Sequence, residues 1–199
     1  PVIVGHSWSG SVALAALTDQ GHRVAGAVSL AGVDSHWVGG IGWPTHLARV
    51  PILGRLFCHA VVPLLGPTMM PAAIAKIFRP NTVPEGYAER IAAPLALRPG
   101  AFWSNARDLV RLNRFLQTQS TRYRGITQPL LVIHGQDDAV VPFWNHGERL
   151  TALLPEAEVQ LLPGMGHAPY HVAPEDIAER IAAFARRCQA AGDDRPAAV

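Results

Sequence analysis

Pro1-Val2-Ile3-Val4-Gly5-His6-Ser7-Trp8-Ser9-Gly10 is an apolar run that breaks at Gly5 and carries Ser7 into a stretch rich in alanine and leucine. Val2 to Val4 reads as a buried strand, and Ser11 to Leu17 supplies apolar residues at helical spacing until Asp19, Gln20 and Gly21 close the segment. The order is strand, sharp turn, helix. A turn of this kind mounts a serine hydroxyl clear of the chain, as a nucleophile requires.

Outward from this turn, Val24 to Leu30 reads as a second buried strand ended by Ala31-Gly32. Two strands separated by one helix predict a parallel βαβ unit, hence an α/β fold with a mainly parallel sheet. From about His36 to Gly125 the alternation stops. Helices broken by proline are predicted there around Leu53 to Leu65, Ala72 to Phe78, Glu85 to Leu97 and Ala101 to Gln117. After Pro129 the α/β rhythm returns, with strands at Leu130 to His134 and Glu158 to Leu162 and a helix at Asn145 to Leu154 between them. A last helix opens on Pro174, Glu175 and Asp176, with Ile177, Ile181, Phe184 and Cys188 on one face. The expected division is core 1–35, inserted all-helical cap 36–125, core 126–188, and a frayed tail 189–199.

With 199 residues and 49% hydrophobic content, the chain is large enough for one core-bearing domain. Its 17 basic residues are scattered among 15 acidic ones, so no basic stripe predicts a nucleic-acid partner. The two cysteines, Cys58 and Cys188, have neither disulfide-framework nor zinc-ligand spacing. That usage, with no signal-peptide pattern at Pro1 to Val4, leads to the expectation of a cytoplasmic chain. Val50 to Ile77 is very apolar, but Arg55, His59 and Lys76 interrupt it and Pro51, Pro63, Pro67 and Pro71 are expected to break it. Short buried helices are predicted rather than a transmembrane segment, with a greasy lid over an apolar pocket as the sharper reading. Trp37, Trp43, Trp103, Trp144, Met69 and Met70 are expected to serve mainly as packing.

Serine alone is a poor nucleophile and needs a base, which needs an orienting acceptor. Asp138 stands beyond one strand in Gly135-Gln136-Asp137-Asp138-Ala139-Val140-Val141-Pro142, and His167 beyond the next in Pro163-Gly164-Met165-Gly166-His167. In a parallel sheet all C-terminal strand ends share one edge, so Ser7, Asp138 and His167 are candidates to converge. Asp137 and Asp34 rival Asp138 as the acid. His171, His6 and His146 rival His167 as the base. Ser9 is rejected as nucleophile because Ser7 and Ser11 would flank it.

On these motifs the chain resembles the α/β-hydrolase family, whose order is nucleophile, acid, histidine, with the nucleophile on a strained elbow. The helical insert sits where that family carries its cap. Ser9 replaces the second glycine of the elbow pattern. The resemblance implies a serine hydrolase with a Ser-His-Asp triad, an acyl-enzyme, and the Trp8 N–H as one oxyanion donor. It implies no metal or organic cofactor. A serine elbow argues against members that use a carboxylate nucleophile. The apolar insert points to a small lipophilic ester or thioester; carbon–carbon hydrolysis, acyl transfer and cofactor-free peroxidation are alternatives within the fold. The family's second oxyanion donor comes from an earlier strand, so the chain is expected to be the C-terminal two-thirds of such a protein. A catalytically inert fragment or binding module is the alternative from another class. The oligomeric state is left open.

Overall fold

The computed structural model describes residues 1–39 and 42–193. Strands β1 (Val2–His6), β2 (Gly26–Leu30), β3 (Leu130–Gly135) and β4 (Glu158–Leu162) form one all-parallel sheet in the order β1-β2-β3-β4. The register pairs Gly5 with Ser29, Ser29 with Val132, and Val132 with Val159. This brings the C-terminal ends of all four strands to one edge.

Strand alternation sends successive side chains to opposite faces, and both faces are covered. On one face Ala27, Leu130 and Val132 pack with Leu14 and Leu17 of α1 (Gly10–Gln20). On the other, Val28, Leu131 and Ile133 pack against Ile177, Phe184 and Cys188 of α8 (Pro174–Asp193). Each such leucine or isoleucine stabilises the fold by about 1.5–3 kcal/mol through removal from water.

The segment between β2 and β3 folds as α2 (Trp43–Ala48), α3 (Leu53–Phe78), α4 (Tyr87–Arg90) and α5 (Pro99–Gln119). The expected break at the prolines of α3 does not occur. A π-helical turn at Phe57–Val61 precedes Pro63, and Val62 N–H reaches back to Phe57 O, which widens the ladder where proline would clash. Pro67 and Pro71 lie on the exposed side, where water can satisfy the carbonyls they leave unpaired. The result is a helical run of 26 residues, long and apolar enough by composition to cross a membrane, with 11% of its most apolar window buried.

The insert has a small core of its own around Ala48, Phe57, Cys58, Val62 and Ala106. The end of α5, inside the expected insert 36–125, packs on the sheet side. Leu112 and Leu116 pack with Val33 and Val141, Gln119 Nε2 donates to Ser11 O at 3.0 Å, and Tyr123 lies in the sheet core.

Three further expectations are corrected. The helix predicted at Asn145 to Leu154 is a 3-10 turn, Phe143–Asn145, followed by α6 (Gly147–Thr151), because His146 leaves helical geometry with φ −130° and ψ −72°. After the short α7 (Pro169–Val172), α8 carries the tail expected from 189 in helical form through Asp193; the remainder, 194–199, lies outside the described residues. Trp43 and Trp144, expected as packing, are 65% and 60% exposed, and Met69 is exposed as well.

Candidate active site

Ser7 stands at the sharp exit of β1 with φ +53°, in the left-handed region that a non-glycine residue adopts only when its surroundings hold it there. Two features hold it. A Cβ at Gly5 would collide with the Ser9 carbonyl, so only glycine permits so tight a turn. Ser9 Oγ accepts from the His6 N–H at 2.9 Å and donates to His6 O at 2.8 Å, stitching the turn shut. The serine that departs from the family's glycine pattern therefore has a structural task.

At the same sheet edge, the loops after β3 and β4 deliver Asp138 and His167. Ser7 Oγ donates to His167 Nε2 at 2.9 Å. His167 Nδ1 donates to Asp138 Oδ2 at 2.7 Å, which places the imidazole proton on Nδ1 and leaves Nε2 as the acceptor. Asp138 Oδ1 accepts from the Val140 and Val141 N–H groups, each at 2.8 Å. Burial alone would push the Asp138 carboxyl up, but hydrogen bonds from His134 and His167 overcome it and hold the group well below the usual carboxylate range. Asp138 thus stays ionised beside the ring it orients.

The rival residues have other partners. Asp137 Oδ2 accepts from Gly164 N–H at 3.1 Å and so ties the acid loop to the histidine loop. Asp34 is fully buried, and its two oxygens share the Ser29 hydroxyl at 2.8 and 2.7 Å. Burial raises its carboxyl to about 6 against the opposing Ser29 bond. His6 donates through Nε2 to His167 O at 3.0 Å, and burial lowers its ring to about 4, so it is a neutral support for the histidine loop. His171 stacks among Phe78, Tyr87 and Tyr170, and His146 is buried and lowered to about 4 by that burial.

Two supports went unread in the sequence. His134 Nε2 donates to Val141 O at 2.7 Å and lies 3.4 Å from Asp138 Oδ2, bracing the acid loop from the end of β3. The stretch at the end of α3 clamps the histidine loop: His167 N–H donates to Ile77 O at 3.0 Å, Gly166 N–H to Asn81 Oδ1 at 3.1 Å, and Asn81 Nδ2 to Gly164 O at 2.8 Å. A polar Asn81 just after an apolar helix was the available signal.

Ser7 opens onto a cavity of about 580 Å3 lined by Trp8, Val33, Trp37, Leu109 and Val141, with Lys76 and His146 among its polar groups. Trp8, the residue after Ser7, lines the same cavity and is partly exposed. The arrangement can transfer a proton from a hydroxyl to an imidazole beside a mostly apolar chamber.

Known proteins resemble this chain in sequence or in fold. The chain is 39% identical over 67 residues to the biotin biosynthesis bifunctional protein BioHC of Teredinibacter turnerae, a match covering 34% of this chain and 12% of that protein. A bromoperoxidase from Bacillus anthracis superposes with a TM-score of 0.66 at 19% identity, covering 93% of this chain and 67% of that one. A thermophilic esterase from Thermogutta terrifontis superposes with a TM-score of 0.63 at 17% identity, covering 94% and 65%. The chain therefore spans about two thirds of the length of these solved structures. The alpha/beta hydrolase family model matches residues 1–180, and the chain belongs to that family.

Proposed function

We propose that this chain hydrolyses a small lipophilic ester or thioester through an acyl-enzyme on Ser7. The observation that carries the reading is the unbroken hydrogen-bond chain from Ser7 Oγ through His167 to Asp138, at 2.9 and 2.7 Å, opening onto a mostly apolar cavity. His167 Nε2 takes the Ser7 proton as Oγ attacks the carbonyl carbon, and Asp138 stabilises the imidazolium that forms. The Trp8 N–H donates to the developing oxyanion. His167 then returns the proton to the departing alkoxide or thiolate, leaving the acyl group on Ser7. Water, deprotonated by the same imidazole, attacks the acyl carbon and releases the acid while Ser7 regains its proton.

The cavity walls favour aliphatic or aromatic acyl groups over charged ones, since few charged groups line them. p-Nitrophenyl esters running from acetate to octanoate test the reading. The expected result is kcat/KM rising with acyl length, and loss of turnover in Ser7→Ala. A folded chain that turns over none of these esters would overturn it.

A further inference from the structure

Between Asp34 and Glu85 the sequence contains no acidic residue, yet Arg49, Arg55, Lys76 and Arg79 all lie there. This is the segment that carries α2 and α3, and its outward surface is apolar. Ile52, Leu53, Leu56 and Leu64 are 82%, 59%, 62% and 73% exposed; the three leucines recur at helical spacing along the run, and Ile52 stands immediately before it. The opposite side of α3 is committed to the fold through Phe57, Cys58, Val62, Ile74 and Phe78. A helix apolar on both sides ordinarily has both sides covered.

At the N-terminal end of this run, where it meets α5, the charges are arranged for an anion. Arg49, Arg55 and Arg107 line one depression of about 390 Å3 with Val50, Pro51 and Trp103, and no carboxylate is among its lining residues. Arg107 lies over the Trp103 ring at 4.3 Å, which fixes its guanidinium at the rim. Among the described residues none of these three arginines forms an ion pair, whereas Arg122, Arg180, Arg186 and Arg187 do.

We infer that the outer face of α2 and α3 docks on the surface of a bilayer containing anionic phospholipid. Ile52, Leu53, Leu56 and Leu64 enter the boundary between headgroups and acyl chains, and the arginine depression takes headgroup phosphates. Guanidinium and phosphate match in charge and in hydrogen-bond geometry. The helix lies on the surface and does not cross it, because its inner side is packed and its end holds the histidine loop through Ile77 and Asn81. Lys76 and Gly42 line the Ser7 cavity, and Trp43 stands exposed beside Gly42, so the docked face borders the cavity mouth. A lipophilic molecule could pass from the bilayer to Ser7 with little exposure to water; that consequence alone rests on the hydrolase reading.

Flotation with vesicles tests the docking without any turnover. Vesicles of phosphatidylcholine mixed with phosphatidylglycerol are expected to carry the chain upward, with partition at least about tenfold lower on phosphatidylcholine alone or in high salt. Leu56→Glu with Leu64→Glu is expected to abolish flotation. Arg49→Ala with Arg55→Ala is expected to remove the preference for phosphatidylglycerol, with circular dichroism unchanged in each variant. Ser7→Ala is expected to float as the parent does, so a failure of the hydrolase reading would leave this result standing. No flotation of the parent chain, or undiminished flotation of the double leucine variant, would overturn the proposal. So would a concentration-dependent dimer that the double leucine variant dissolves, since it would assign the face to a second copy.

Discussion

Strand β3 and helix α3 are both apolar, yet the fold uses them in opposite ways. Every residue of β3 is buried, its alternating side chains shared between α1 on one face and α8 on the other. α3 has one covered side and one bare side with the same kind of residue on both. Hydrophobicity states that a segment should leave water; the elements packed around it decide whether it does. The polar groups follow the same division. Around β3 they close into hydrogen bonds that fix Asp138 and His167, whereas at the start of α3 Arg49 and Arg55 form no ion pair among the described residues.

The largest effect belongs to the ordered edge. Asp138→Asn is expected to lower ester turnover by about 10⁴ by removing the acceptor that sets the His167 tautomer. Asp34→Asn, buried against Ser29 and away from His167, is expected to leave the rate within a few-fold. Steady-state kinetics on both variants checks the pair, and the reverse ranking would move the acid role to Asp34.

Stability distinguishes the two apolar segments next. Leu131→Ala in β3 is expected to cost about 2–5 kcal/mol, because the site cannot collapse between two packed faces. Leu64→Ala on the bare side of α3 is expected to stay within about 0.5 kcal/mol of the parent in urea denaturation. Equal losses would mean that α3 is covered in solution.

Acid sharpens the account of the buried polar groups. Burial lowers His6 and His146 to about 4, so the unfolded chain takes up these protons first as pH falls. The stability linked to them is complete above pH 6.5 and is lost as pH drops toward 4. Asp34 acts in the other direction: raised to about 6 from 3.8, it contributes fully below pH 3.8 and nothing above about 6. Two histidines outweigh one carboxyl, and the unfolding free energy at pH 5 is expected to lie about 2 kcal/mol below that at pH 7. His146→Gln should narrow the gap; an unchanged gap would show that His146 is not held neutral.

The smallest effect joins the two regions. Asn81→Ala removes the clamp between the end of α3 and the histidine loop, and is expected to lower kcat by about tenfold with little change in KM. A change in KM alone would assign Asn81 to the substrate cavity.

The parallel sheet and the residues whose side chains meet were legible because local rules govern both. Strand runs ended by glycine placed Ser7, Asp138 and His167 on one edge, whereas Asp137 and Asp138 are told apart only by their partners, Gly164 N–H for the one and the His167 ring for the other. What remained hidden depends on long-range contact. Nothing near Asn81 announces that it will bond to Gly164 and Gly166, and nothing near Tyr123 announces that it will donate to Asp34 O in the sheet core. The prolines of α3 misled for a different reason. Proline breaks a helix only where its missing hydrogen bond cannot be replaced, and a π-turn together with an exposed side replaces it here.

Activation of Ser7 by His167 is the proposal on which the hydrolase reading rests. Reaction of the purified, folded chain with a fluorophosphonate, followed by peptide mass spectrometry, measures this directly. One phosphonyl adduct is expected, on Ser7, formed much more slowly in His167→Ala and absent in Ser7→Ala. A folded chain that takes up no adduct, or one that takes it up on another serine, would contradict it.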